Sequence, residues 1–186
     1  MIRQRMPELA LHFAVPFALT APVLGLRKAT LISLLALTPD LDVLFHMHRS
    51  ASHSIFLLLL ASLLVVDLGL VSRLKRKQLE LVSAGCLALL SHPIMDIFST
   101  YTPILYPLIE QSVYLKVELK VTIGSPILPI LAALINTKPT TFEEFQRFDA
   151  PLFSSEGFIV TLLLVAVPLL VISLRHARAS KRTQQV

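Results

Sequence analysis

The stretch Ser91-His92-Pro93-Ile94-Met95-Asp96 sets an imidazole and a carboxylate four residues apart. On a helix that spacing puts both on one face. Such a pair is a bidentate metal platform, with the spacing that H-E-x-x-H zinc helices use for two imidazoles. A buried His–Asp hydrogen bond that only ties helices together would need the same residues. Ionisable groups inside apolar spans are costly, which favours function. Upstream lies Pro39-Asp40-Leu41-Asp42. An extended or turn backbone there aims both carboxylates at one cation, or leaves one as ligand and one behind it. The plainer alternative is an Asx-turn with a helix cap.

Between these motifs runs His46-Met47-His48-Arg49-Ser50-Ala51-Ser52-His53-Ser54. Ser52 reads as the N-cap of the next helix, placing His53 in its first turn. Arg49 beside that N-terminus makes an anion site suited to phosphate, or else snorkels at an interface. His46 reads as an exposed loop residue. His12 sits in the first apolar run; alone it would be a packed polar residue, and convergence with the others makes it a ligand. The candidate metal ligands are therefore His12, Asp40, Asp42, His53, His92 and Asp96. An all-N/O set rich in imidazole suits zinc, manganese or iron better than calcium or magnesium alone. The ligand count allows one metal, two, or more. Two metals can clamp the attacking and leaving oxygens of a phosphoryl displacement.

The elements that must position these groups are apolar runs. Residues 9–26 form a helix kinked by Pro16 and Pro22, retained despite the basic start at Arg3 and Arg5. Residues 29–38 are too short to cross alone. Residues 54–72 and 79–98 are spans, and 157–174 is the cleanest, without a charge. Residues 121–135, with Gly124, Pro126 and Pro129, read as an interfacial or re-entrant piece, and 138–151 as a surface amphipathic segment. The tail after Arg175 is expected to fray. The expected fold is an all-α polytopic membrane bundle of four to five helices, with the metal site at one membrane face. It forms one membrane-embedded domain over 1–186, with a motif core at 9–107, a C-terminal span at 157–174 and a polar tail at 175–186.

Composition agrees. Of 186 residues, 54% are hydrophobic and 16% charged, with mean hydropathy +0.72. That is too apolar for disorder and reads as an integral protein of the cell (inner, cytoplasmic) membrane. The single cysteine, Cys86, excludes an internal disulfide framework and a cysteine-based zinc cluster. Net charge is +5, but the basic residues cluster beside apolar runs at Arg27-Lys28, Arg73 to Lys77 and Arg175 to Arg182. Such clusters report membrane orientation rather than nucleic-acid binding. With all three clusters inside, His12, residues 39–54 and His92 to Asp96 fall at the outer end.

The order Pro39-Asp40-x-Asp42, His48-Arg49-x-x-Ser52-His53-Ser54, Ser91-His92-x-x-x-Asp96 resembles the YdjM-like family of membrane-bound, metal-dependent hydrolases, over about residues 9–107. The same order looks like the ligand series of zinc-dependent phospholipase C and nuclease P1-type enzymes. The resemblance implies an all-helical phosphoesterase-like site. It carries over His12, Asp40 or Asp42, His53, His92 and Asp96 as metal ligands. It also implies His48 as acid/base and Arg49 as phosphate holder. The chain departs from the family pattern at Ser50, where glycine is common.

The expected function is metal-dependent hydrolysis of a phosphoester by activated water. A membrane lipid is the favoured substrate class, since a headgroup can enter without leaving the bilayer. One rival is a metal or proton transporter, which needs polar residues continuing across the bilayer; Asp67 alone lies toward the inner side. The other is a non-catalytic protein in which metal staples helices.

Overall fold

The computed structural model describes residues 9–47, 50–122, 128–142 and 154–183. Among them are helices α1 (Leu9–Leu24), α2 (Leu26–Leu35), α3 (Ile55–Val71), α4 (Arg76–Asp96) and α5 (Ser155–Thr183), and strands β1 (Gln111–Thr122) and β2 (Leu128–Pro139). Each of the five runs read as helices thus became one. Gly25, at φ 80, separates α1 from α2; that conformation suits a residue without Cβ. Two helical windows are long and apolar enough to cross a membrane, Arg76–Asp96 and Ser155–Arg175. Only 11% of the second window is buried, which in water would leave a large apolar surface bare. The apolar helices α1 and α3 are shorter, at 16 and 17 residues.

The described residues fall into two compact units. One contains Glu8–Thr38, Ser62–Ser91 and Pro151–Val186. In it α1 packs on α2 and on α5. Phe17, Ala21 and Ala29 form one buried cluster, flanked by Phe13, Val165 and Ile172. Ile32, Ala36 and Ala88 form another, flanked by Leu24, Leu81 and Ala84. Small residues let backbones approach: Gly85 comes so close to α2 that an added Cβ would lie 3.0 Å from Leu35 Cδ2. The Cys86 thiol donates to Ser62 O at 3.8 Å, tying α4 to α3. Helix α5 runs on through the basic residues expected to fray, to Thr183. Arg, Ala and Lys are good helix formers, and no glycine or proline interrupts 175–183.

The other unit contains Pro39–Ala61 and His92–Ala150. It holds the departure from an all-helical fold. Where a re-entrant or interfacial piece is expected at 121–135, residues 111–122 and 128–139 pair as antiparallel strands, in register from Gln111↔Pro139 to Thr122↔Leu128. The cause is legible in β1: Val113-Tyr114-Leu115-Lys116-Val117-Glu118 alternates apolar and polar with period two, rich in β-branched and aromatic residues. The hairpin base is fixed to the segment after α4. Thr102 and Val113 exchange both backbone hydrogen bonds, and Leu115 N donates to Ile97 O at 2.6 Å.

Candidate metal centre

Thr38-Pro39 ends the α2 segment, and Thr38–Phe45 continues as a 3₁₀ helix with Asp40 in its first turn. His46 follows at φ 56, exposed in a turn as expected. Ser50 caps a short 3₁₀ turn, Ala51–His53, its hydroxyl accepting from Ser52 N. The cap of α3 is Ser54, not Ser52: its buried hydroxyl accepts from Leu57 N at 3.3 Å. His53 therefore precedes the helix instead of lying in its first turn. Ser52 is committed elsewhere, with Oγ 3.0 Å from Pro39 O, 3.1 Å from Asp42 Oδ2 and 3.0 Å from His53 Nδ1. His92 and Asp96 sit on the last turn of α4, which carries Pro93 without ending there.

These segments bring Asp40, Asp42, His53, His92 and Asp96 together. His53 Nε2 lies 3.3 Å from Asp40 Oδ1, 3.4 Å from Asp96 Oδ2 and 3.3 Å from His92 Nε2. His92 Nε2 lies 3.4 Å from the same Asp40 oxygen and 3.6 Å from the same Asp96 oxygen. The side chains of His53, His92 and Asp96 are fully buried, while Asp40 retains 15% exposure. An imidazole Nε2 carries at most one proton, so it can serve only one of the three polar atoms crowded around His53. A cation between Asp40 Oδ1 and the two imidazole nitrogens would satisfy all three at once. Asp40, His53 and His92 form a group that can hold a metal ion, and Asp96 Oδ2 stands beside both imidazoles.

Asp42 faces the other side of His53. Its Oδ2 is 3.3 Å from His53 Nδ1 and accepts from Ser50 N at 2.9 Å. A carboxylate behind an imidazole fixes the tautomer and leaves the far nitrogen's lone pair forward. Of the two arrangements the sequence allows for Asp40 and Asp42, the backbone builds the split one. A 3₁₀ helix turns about 120° per residue, so positions two apart point apart.

The electrostatics follow. Burial pushes the Asp40 carboxyl up, but hydrogen bonds and charge from His53 and His92 outweigh it and hold Asp40 well below the usual carboxylate range. Burial pushes His53 down, yet Asp40, Asp42 and Asp96 together raise it to about 9.

His12 is buried in α1, which belongs to the other unit. His48 and Arg49 lie outside the described residues. The residues that sequence reasoning missed are the serines: Ser50 and Ser52, which hold Asp42 and His53. Their signal was the S-x-S-H string itself, since short hydroxyl side chains bond to nearby backbone and side chains.

A buried histidine–aspartate cluster beside strongly apolar helices defines the chain as a membrane protein with a candidate metal site. The chain belongs to the YdjM inner membrane protein family, whose model matches residues 6–179. No curated protein and no solved structure matches it.

Proposed function

We propose that this protein is a membrane-embedded, metal-dependent hydrolase of phosphoesters, with lipid headgroups as the favoured substrate class. The observation that carries this reading is the approach of two buried imidazole nitrogens to 3.3 Å, flanked by two carboxylate oxygens. Zinc is the favoured ion. Edges of a tetrahedral zinc site are about 1.6 times the bond length, so roughly 3.3–3.6 Å for N and O ligands. The five distances given above, each measured from an imidazole nitrogen, fall in that range.

Asp40, His53, His92 and Asp96 would hold the ion, and Asp42 would orient His53. When bound, the ion supplies Lewis acidity toward a phosphoryl oxygen and lowers the pKa of water. Asp40 forms the partly open edge, the side from which a phosphoester reaches the centre. Arg49 would bind a phosphate oxygen and His48 would protonate the leaving oxygen, the roles the family resemblance gives them. Helices α1 and α3 cross the membrane with α4 and α5, and Arg27-Lys28 and Arg73 to Lys77 stay inside. The centre then lies toward the outer face, since α3 leads from it to the basic cluster and α4 leads back.

The test is metal content and activity of the purified full chain in lipid nanodiscs, against water-soluble phosphoesters and phospholipids. One bound metal per chain or more, with hydrolysis abolished in His53→Ala and Asp96→Ala, supports the reading. Bound metal without activity on any phosphoester favours a structural staple. Absence of metal at neutral pH refutes the site.

A further inference from the structure

The hairpin plays no part in that chemistry. Strand residues alternate faces, so its register puts Leu115 beside Ile135 and Val117 beside Ala133 on one face. This face is apolar and bare: Val117 is 49% exposed, Leu131 70% and Ile135 72%. On the opposite face β1 is polar, with Ser112, Tyr114, Lys116 and Glu118, while β2 adds Asn136 and Lys138 near the base and the exposed Leu134 beyond them. At the base it is this polar face that packs on the protein. Ser112 is buried with Oγ 3.1 Å from Thr140 Oγ1, the Tyr114 ring meets Tyr101 at 5.6 Å and a tilt of 54°, and Lys138 Nζ stands 5.0 Å over the Tyr101 ring.

A half-buried sheet in water does the reverse, turning its apolar face to the core. The 3₁₀ helix that carries Asp40 and Asp42 has the same inverted polarity: its carboxylates face the cluster, while Leu41, Leu44 and Phe45 are exposed. Exposed apolar side chains also run along the end of α4, at Ile94 and Phe98. There the Ile97–Leu115 backbone hydrogen bond joins the hairpin to the residue after Asp96.

We propose that the β1–β2 hairpin lies flat in the membrane interface, with the face bearing Val117, Leu131 and Ile135 in the boundary between headgroups and acyl chains. The occupant of that face is the lipid bilayer itself. A two-stranded ribbon has unpaired backbone edges and cannot cross hydrocarbon, whereas in the interface the headgroups and water satisfy them. Close in the chain to the Ile97–Leu115 hydrogen bond that holds the hairpin, Ile94 near the end of α4 and Phe98 just past it are exposed and apolar as well. This placement stands whether or not the metal centre hydrolyses anything.

The experiment uses the full chain with Cys86→Ala, carrying one new cysteine at a time. Val117→Cys, Leu131→Cys and Ile135→Cys probe the apolar face, and Lys116→Cys and Asn136→Cys the polar one. Each is labelled with an environment-sensitive fluorophore in nanodiscs of phosphatidylethanolamine with one-third phosphatidylglycerol. The apolar-face labels are expected to be quenched by acyl-chain spin-labelled lipid and several-fold less by aqueous iodide, with the polar-face labels reversed. Equal iodide quenching on both faces overturns the proposal. So does apolar-face protection that persists in detergent-free polymer without lipid but vanishes on dilution, which would identify a second copy as the cover. A Leu131→Lys, Ile135→Lys variant should lose protection at position 117 while keeping its metal per chain. If that variant fails to fold, the single-label data decide.

Discussion

Nδ1 of His53 faces Oδ2 of Asp42 across 3.3 Å, on the side of the ring away from His92 and Asp96. The pair divides the site into atoms that could touch an ion and atoms that aim them. Asp42→Asn should therefore weaken metal binding by about 10–100-fold without abolishing it. Asp40→Asn and His92→Ala should remove stoichiometric binding. Competitive titration with a chelating indicator distinguishes the two classes; equal losses in all three would refute the division.

In metal-free protein, stability should depend on pH through His53 and Asp40. The His53 value rises from 6.5 to about 9 on folding, so the folded state holds this proton more tightly. Its stabilising contribution is complete below 6.5 and is lost as pH rises through about 9. Asp40 is depressed below its ordinary 3.8; its contribution is present above that value and is lost only in stronger acid. Thermal melts of chelator-treated protein should fall between pH 6.5 and 9.5, and His53→Gln should flatten that fall. An unchanged melting temperature across this window would contradict the cluster's electrostatics.

Ser54→Ala should cost about 1–2 kcal/mol. The hydroxyl caps α3 at Leu57 N and donates to Tyr106 O, so its loss strands a carbonyl as well as an amide. Ser54→Thr keeps the oxygen and should recover part of the loss. Thermal unfolding in a single detergent measures both variants.

Ala29→Leu should destabilise by about 1–3 kcal/mol through overpacking. Ala29 is fully buried against Phe17 and Ala21, where α1 and α2 meet. A neutral result in the same unfolding assay would show that this contact is looser than its burial implies.

Much of the architecture could be read from residue order. Long apolar runs have one economical solution, the helix; four of the five appeared within three residues of their expected bounds, while α5 continues nine residues past its expected end. The i, i+4 pair His92 and Asp96 needed only helical geometry, which Pro93 does not break in the last turn. The hairpin was harder, because residues 121–135 are apolar on both sides of Gly-Ser-Pro. A run without charge masks the period-two signal that β1 carries plainly at 113–118. The different duties of Asp40 and Asp42 were not separable by spacing. They depend on whether the backbone there is extended or 3₁₀, and neither carboxylate states that by itself. The cap at Ser54 was hidden for a similar reason: three serines, Ser50, Ser52 and Ser54, compete for the role within five residues, and two of them have partners far off in the chain, at Pro39 and Tyr106.

The cluster draws on Asp40, His53 and the His92–Asp96 turn, with helices α3 and α4 between the second and the third. Synthesis reaches Asp40 and His53 long before it reaches His92. The earlier two therefore wait, incomplete, until α3 and α4 have emerged and folded back beside one another, joined at Cys86 and Ser62. Assembly of the centre thereby reports that the helical hairpin has closed correctly. A chain in which either helix is misplaced cannot bring His92 to His53, and it forfeits the cluster along with the fold.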